Sequence, residues 1–356
     1  MTIAGFMYIL TNKNMIHRCI LTGFFLLLLT FSFSNTAQPG IWGAGGGGFT
    51  LLFPEDSIGY KKIQMQRERV SIQLYKGFAV VKGEYWMRNT TDDSIIIRAG
   101  YPLNATWDSY KNASDLTEIY FDQLYQLRVK IDGQNAEIIQ SPMEAEQPNV
   151  SSFNDPGENN WYVWSMEFKP ADITKIEVYF LVNTNDAKVS LGYSKESYNG
   201  FVYILESGAT WKPPIGEGTI MIQLKDGLGK NDVHGISPDS AFHYDENSQI
   251  LLYQFQNLEP TNEDNIALTY SERIADFPFE QIVNKADDYF AEIEQLSQIS
   301  LEQGNYIPVD FGSPFDISSV NAVSVFFFVV VFVIPLLLVL GVGFVIYQVV
   351  KRRRRT

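Results

Sequence analysis

Between residues 70 and 270 apolar and polar side chains alternate one for one, in run after run. Val70, Ile72 and Leu74 alternate with Ser71, Gln73 and Tyr75; Val81, Tyr85 and Met87 alternate with Lys82, Glu84, Trp86 and Arg88. The pattern returns in Trp164, Met166 and Phe168, in Ile176, Val178, Phe180 and Val182, and in Ile220, Ile222 and Leu224. It continues in Leu251, Tyr253 and Phe255 and in Ile266, Leu268 and Tyr270, while Leu127, Val129 and Ile131 run into the turn pair Asp132-Gly133. Successive side chains of a strand point to opposite faces, so period 2 marks strands with one buried face. Many such runs, separated by Gly, Pro, Asn and Asp clusters, predict sandwiches and not βαβ units. The fold class expected is mainly β: two antiparallel β-sandwich units, a membrane-proximal helix and one C-terminal transmembrane helix.

The two ends read as targeting segments. No charge lies between Asp316 and Lys351, and residues 320–350 exceed the roughly 20 apolar residues that cross a bilayer. Pro335 inside this stretch is tolerated as a kink. Lys351, Arg352, Arg353, Arg354 and Arg355 follow at once; they are topogenic, and the tail 351–356 is expected in the cytoplasm. Residues 1–37 read as a signal peptide: Lys13, His17 and Arg18 precede the apolar run Ile20 to Phe33, and small residues stand at Ser32, Ser34 and Ala37. An uncleaved N-terminal anchor is the alternative. With cleavage the chain is a single-pass protein of the cytoplasmic membrane, N-terminus outside. The one cysteine, Cys19, lies within the signal, so the mature chain has no disulfide, which suits a bacterial envelope protein with a sizeable core.

Charge separates the same regions. The chain of 356 residues carries 41 acidic and 27 basic side chains, net −14. Two basic groups lie in 1–37 and five in 351–356; the stretch between keeps 20 against 41, net −21. So acidic a surface excludes nucleic acid as a partner, since phosphate contacts need a basic footprint.

Between the ends, residues 38–56 form a Gly-rich N-terminal segment; Gly45 to Gly48 are followed by no Lys-Ser/Thr pair, so a phosphate loop is set aside. Residues 57–200 are expected as one β-sandwich, with a long excursion at 101–126, and 201–274 as a second, smaller unit. A shared sheet or core is compatible with the same pattern. In 275–304, Phe279, Ile282, Ala286, Tyr289, Ile293 and Leu296 recur at helical spacing. That stripe suits docking on the second unit or, alternatively, dimerisation near the membrane, so a homo-oligomer is considered. Residues 305–319, with Pro308, Gly312 and Pro314, read as a stalk.

Two stretches carry a resemblance. Gly47-Gly48-Phe49-Thr50, Ile63-x-Met65-x-x-Glu68-x-Val70-x-Ile72, Tyr85-x-Met87-x-Asn89 and Gly100-Tyr101-Pro102 resemble the opening of an uncharacterised family of secreted bacterial β-domains. More distantly they are similar to the domain shared by vault proteins and inter-alpha-trypsin inhibitors. Tyr203-Ile204-Leu205-x-x-Gly208-Ala209-x-Trp211, with Ile215-Gly216, Ile220-x-Ile222 and Phe255 to Ile266, is similar to a module of bacterial envelope proteins of unknown function. The resemblance implies a β-domain and brings no catalytic residue with it.

The residues offer little chemistry. No G-x-S-x-G and no mature cysteine supply a nucleophile. His234 and His243, with Asp245 nearby, are candidate metal ligands for an envelope enzyme, although their spacing matches no zinc motif; two surface histidines in a turn are the simpler reading. Asn154, Asp155, Glu158, Asn159 and Asn160 form an oxygen-rich loop without the regular calcium spacing. Tyr101, Trp107, Tyr110, Tyr120 and Tyr125 crowd the excursion. Such aromatics suit contact with protein or sugar, or they fold inward over a sandwich edge. The function expected is a non-enzymatic, membrane-anchored ectodomain that takes no cofactor and binds a protein or glycan outside the cytoplasm. A metal-dependent enzyme and an assembly subunit of a membrane complex are the alternatives.

Overall fold

A computed structural model describes residues 40–44, 50–51, 57–102, 104–108, 118–122, 124–142, 153–154, 160–185, 187–191, 194–196, 198–238, 240–314 and 329–353. The chain divides into two units, 1–37 and 38–356. The signal segment, Gly45 to Gly48, Tyr110, Asp155 to Asn159, the residues from 315 to 328, Arg354 and Arg355 lie outside the described residues.

The alternating runs form strands. The main ones are β1 (Ile63–Tyr75), β2 (Phe78–Asn89), β3 (Ile95–Pro102), β4 (Leu124–Ile131), β5 (Asn160–Phe168) and β6 (Ile173–Asn183). They continue with β7 (Tyr198–Tyr203), β8 (Ile215–Leu224), β9 (Val233–Ser237), β10 (His243–Asp245), β11 (Ile250–Leu258), β12 (Ile266–Glu272) and β13 (Ile307–Pro308). Nine strands make the central sheet, in the order β13, β10, β11, β8, β1, β2, β6, β4 and Gln134–Asn135. Three further sheets accompany it among the described residues: β5 and β3 flanked by Ile139–Pro142 and Thr50–Leu51; β7, β12 and β9; and a six-stranded sheet that includes Asn104–Asp108 and Glu118–Asp122.

Residues 57–200 and 201–274 therefore share one sheet. β8 runs parallel to β1, with Ile220 opposite Val70 and Ile222 opposite Ile72. They also share one core. Val70, Ile72 and Leu74 of β1 pack in the same cluster as Tyr101 of β3, Trp164 and Phe168 of β5, Tyr203 of β7 and Leu268 and Tyr270 of β12. The boundary expected near residue 200 falls inside this cluster. A parallel pairing needs a long crossover, and it leaves no local turn signal that periodicity could detect.

The opposite face of the central sheet is covered by helix. α1 (Phe279–Val283) and α2 (Ala286–Ser297) stand where the helical stripe is expected, interrupted at Asn284 and Lys285. Phe279, Ala286, Phe290, Ile293 and Leu296 are buried with Tyr75, Phe78, Val80, Tyr179, Leu181, Met221, Ile250 and Leu252. The stripe is thus spent on the central sheet, and a dimer seam built on it is corrected: its apolar face is already covered. The same packing explains why Ser71, Gln73 and Lys82, read as solvent-facing from their alternation, are buried.

The stalk expectation is corrected as far as Pro314. Ile307 and Pro308 pair with Tyr244 and His243. The Val309 amide donates to the Phe242 carbonyl at 3.2 Å and the Ile236 amide to Gly312 at 3.1 Å. Residues 305–314 are a strap along the sheet edge, because backbone groups left open by the short β10 find their partners there.

Val329–Arg353 is a helix of 25 residues, long and apolar enough to cross a membrane. Its last 20 residues form α3 (Ile334–Arg353). At 1.5 Å per residue the whole measures about 37 Å, more than the roughly 30 Å of a hydrocarbon core. Lys351, Arg352 and Arg353 complete its last turn, where cations favour both the helix dipole and the lipid headgroups.

Candidate binding cleft

The aromatic residues of the excursion have different fates. Tyr101 is fully buried, its ring 6.0 Å from Trp164 and 5.6 Å from Phe180. It is corrected from ligand contact to core, because β3 pairs with β5 and turns it inward. Trp107 and Tyr120 stand on paired strands, Thr106 opposite Tyr120 and Trp107 opposite Ile119; their side chains, like the whole of Tyr110, lie outside the described residues. Tyr125, at the start of β4, is half-buried, with its ring 4.8 Å from Phe279.

Tyr125 is one wall of an open cleft of about 850 Å³. The end of β6 supplies Asn183 and the loop after it Asn185; the segment from β12 to α1 supplies Arg273, Ile274, Phe277 and Phe279; Asn284 follows at the end of α1. The loop from 273 to 277 is held by local bonds. Asn185 donates to the Ile274 carbonyl at 3.0 Å and accepts from the Ile274 amide at 2.7 Å. The Arg273 guanidinium donates to the Asn185 carbonyl. Aromatic rings, amides, one cation and the two acidic residues Asp276 and Glu280 thus line a volume within the range of ligand pockets. Of these residues the sequence pattern pointed only to Tyr125 for ligand contact, and marked Phe279 for the helical stripe. The Asn183-Thr184-Asn185 run and Arg273 beyond the last alternating strand are the signals that could have found the rest.

Beside the cleft, α2 is fixed to the sheet by charge. The Lys82 ammonium, 3 % exposed, lies 2.7 Å from Glu294 and 3.6 Å from both Glu84 and Glu177. Burial opposes the charge on Glu294, but hydrogen bonds from Lys82 and Tyr179 outweigh it and hold the carboxyl below its ordinary range.

The metal candidates do not meet. His234 lies on β9 in the three-stranded sheet, stacked on Tyr198 at 4.0 Å. His243 lies on β10 in the central sheet. The Asp245 carboxylate is taken up by Ser248, at 2.5 Å from the hydroxyl and 2.9 Å from the amide, and by the Asn305 amide at 3.2 Å. Those Ser248 bonds hold it below its usual range. Among the described residues no group of three His, Cys, Asp or Glu side chains is placed to hold a metal ion. The proposed calcium loop lies outside the described residues apart from Asn154 and Asn160.

No protein-family model matches the chain, and no curated protein is significantly similar to it. Among solved structures, a "putative nutrient binding protein" from Legionella pneumophila is similar at 13% identity and a TM-score of 0.43, over 65% of this chain and 72% of that one. An M1 zinc metallopeptidase from Deinococcus radiodurans is similar at 7% identity and 0.29, over 59% of this chain and 42% of that one. Leukotriene A4 hydrolase from Saccharomyces cerevisiae is similar at 11% identity and 0.29, over 59% and 29%. The chain spans less than half the length of these two enzymes.

Proposed function

We propose that this protein is a single-pass bacterial envelope protein whose β-rich head, held outside the cytoplasmic membrane, binds a glycan in the cleft beside Tyr125. The carrying observation is the lining of that cleft: Tyr125 and Phe277 bring aromatic rings, Asn284 an amide, Arg273 a cation, and Asp276 and Glu280 carboxylates. Sugars stack their C–H faces on aromatic rings and exchange hydrogen bonds with amides and guanidinium groups, so this mixture suits them. The basic run Lys351 to Arg355, which begins in the last turn of α3, favours a cytoplasmic C-terminus. An acidic head, net −21, is repelled by anionic lipid and stays free to sample what lies outside.

The test is a glycan panel presented to the full chain in detergent, with Tyr125→Ala and Asn284→Ala beside it. Saturable binding weakened about tenfold or more by Tyr125→Ala supports the reading; stacking one ring contributes on the order of 1 kcal/mol or more.

A further inference from the structure

Glu68 stands on β1 on the same face as Val70, Ile72 and Leu74, directly opposite Tyr85 of β2. A carboxyl group on that apolar face is enclosed on every side: the residue is 3 % exposed. One of its oxygens, Oε1, accepts from the Tyr203 hydroxyl at 2.8 Å. The Tyr203 and Tyr85 hydroxyls are 2.8 Å apart, and those of Tyr85 and Tyr101 3.4 Å. With Tyr101 donating to Tyr85, Tyr85 to Tyr203 and Tyr203 to Glu68, every hydroxyl in the chain points its proton toward Oε1. The other oxygen, Oε2, is buried and has no hydrogen-bond partner among the described residues. A buried polar atom left so costs about 1–3 kcal/mol, and more if charged.

Beside it lies a small cavity of about 10 Å³, walled by Met65, Glu68, Tyr85, Tyr203, Trp211 and the turn that carries Leu205, Ser207 and Gly208. That is roughly the space one water molecule needs, and a buried water needs two or more polar partners. Ser207 Oγ donates to the Ile204 carbonyl at 2.8 Å and keeps its lone pairs for an incoming donor. We propose that this cavity holds a single ordered water molecule, which donates to Glu68 Oε2 and Ser207 Oγ and so joins the central sheet to the turn Leu205–Thr210. Water suits this place in either protonation state of Glu68. It donates to the carboxylate and accepts from the carboxylic acid. A metal ion needs several oxygen ligands, and one carboxyl group and one hydroxyl do not supply them.

A crystal structure of the full chain, at a resolution that shows ordered water, tests this directly. Expected is one peak within hydrogen-bonding distance of Glu68 Oε2 and Ser207 Oγ, retained in Glu68→Gln and absent in Glu68→Met. Should Glu68→Met fail to fold, Ser207→Ala replaces it, with the peak displaced or reduced. An empty cavity in the wild type, a peak with the short contacts of a metal ion, or a water unmoved by Glu68→Met or Ser207→Ala overturns the proposal.

Discussion

Lys82 Nζ lies 2.7 Å from Glu294 Oε2, and this contact crosses the joint between the central sheet and α2. The same ammonium donates to Ser297 at 3.0 Å, one turn further along the helix. The Tyr179 hydroxyl donates to the other oxygen of Glu294. An apolar helix face can slide along a sheet; three polar contacts at one end of α2 fix where it stops. Removing one partner of a fully buried pair costs about 3–5 kcal/mol; here Lys175 stays 2.8 Å from Glu84 and 3.0 Å from Glu177, and Glu294 is partly screened by water, so losing the Lys82 charge costs about 2–3 kcal/mol. Lys82→Met is expected to lower unfolding stability by about that much in a denaturant titration. Glu294→Gln is expected to cost less, since that side chain is 35 % exposed and screened by water.

Glu68 gives the head a pH dependence of defined sign. Burial raises its carboxyl to about 7, with the Tyr203 hydrogen bond acting in the opposite direction. The unfolded chain releases this proton near 4.5. Between those values the folded state binds more protons, so stability falls as pH rises from about 4.5 to about 7 and is flat beyond. The contribution is on the order of 3 kcal/mol. Glu68→Gln keeps the shape without the titration. The difference in unfolding free energy between wild type and variant should therefore shift in favour of the variant across that window. A difference that does not change with pH would show Glu68 to be ordinary in its titration.

The β8–β1 pairing depends on a close approach at Gly216. A Cβ there would lie 2.5 Å from the Gln66 carbonyl oxygen, a backbone atom that cannot swing aside. Gly216→Ala is expected to cost about 1–3 kcal/mol through strain. Because β8 joins residues from both halves of the chain, it should lower the stability of the whole head in one transition. Two separate transitions in calorimetry would contradict the shared sheet.

The strap is held in a similar way at Gly235, where a Cβ would lie 2.6 Å from Pro314 Cα. Gly235→Val is expected to lift residues 305–314 from the edge while the core stays folded. Limited proteolysis of the full chain reads this out as faster cleavage within the strap.

The strands, the docked helix and the apolar C-terminal helix were legible because each follows a local period. Ile293 and Leu296 were marked for burial by spacing alone, and both are buried. Local period says nothing about distant partners. Nothing in Ile215–Leu224 announces that it lies beside β1, and nothing near Lys82 announces an acid more than two hundred residues away. Tyr101 was misread for a related reason: an aromatic in a loop-like stretch carries no mark of which way its strand will face. Glu68 was readable, since its even number places a carboxyl among Val70, Ile72 and Leu74. The cleft was not, because its walls come from β4, the end of β6 and the approach to α1, which only the folded sheet brings together.

The account turns on the cleft beside Tyr125. Its most direct test is the binding isotherm of the full chain in detergent against a glycan panel, measured for wild type and for Tyr125→Ala. The account predicts saturable binding to at least one glycan, weakened about tenfold or more in the variant. Binding that Tyr125→Ala leaves unchanged, or no saturable binding across the panel, would contradict it.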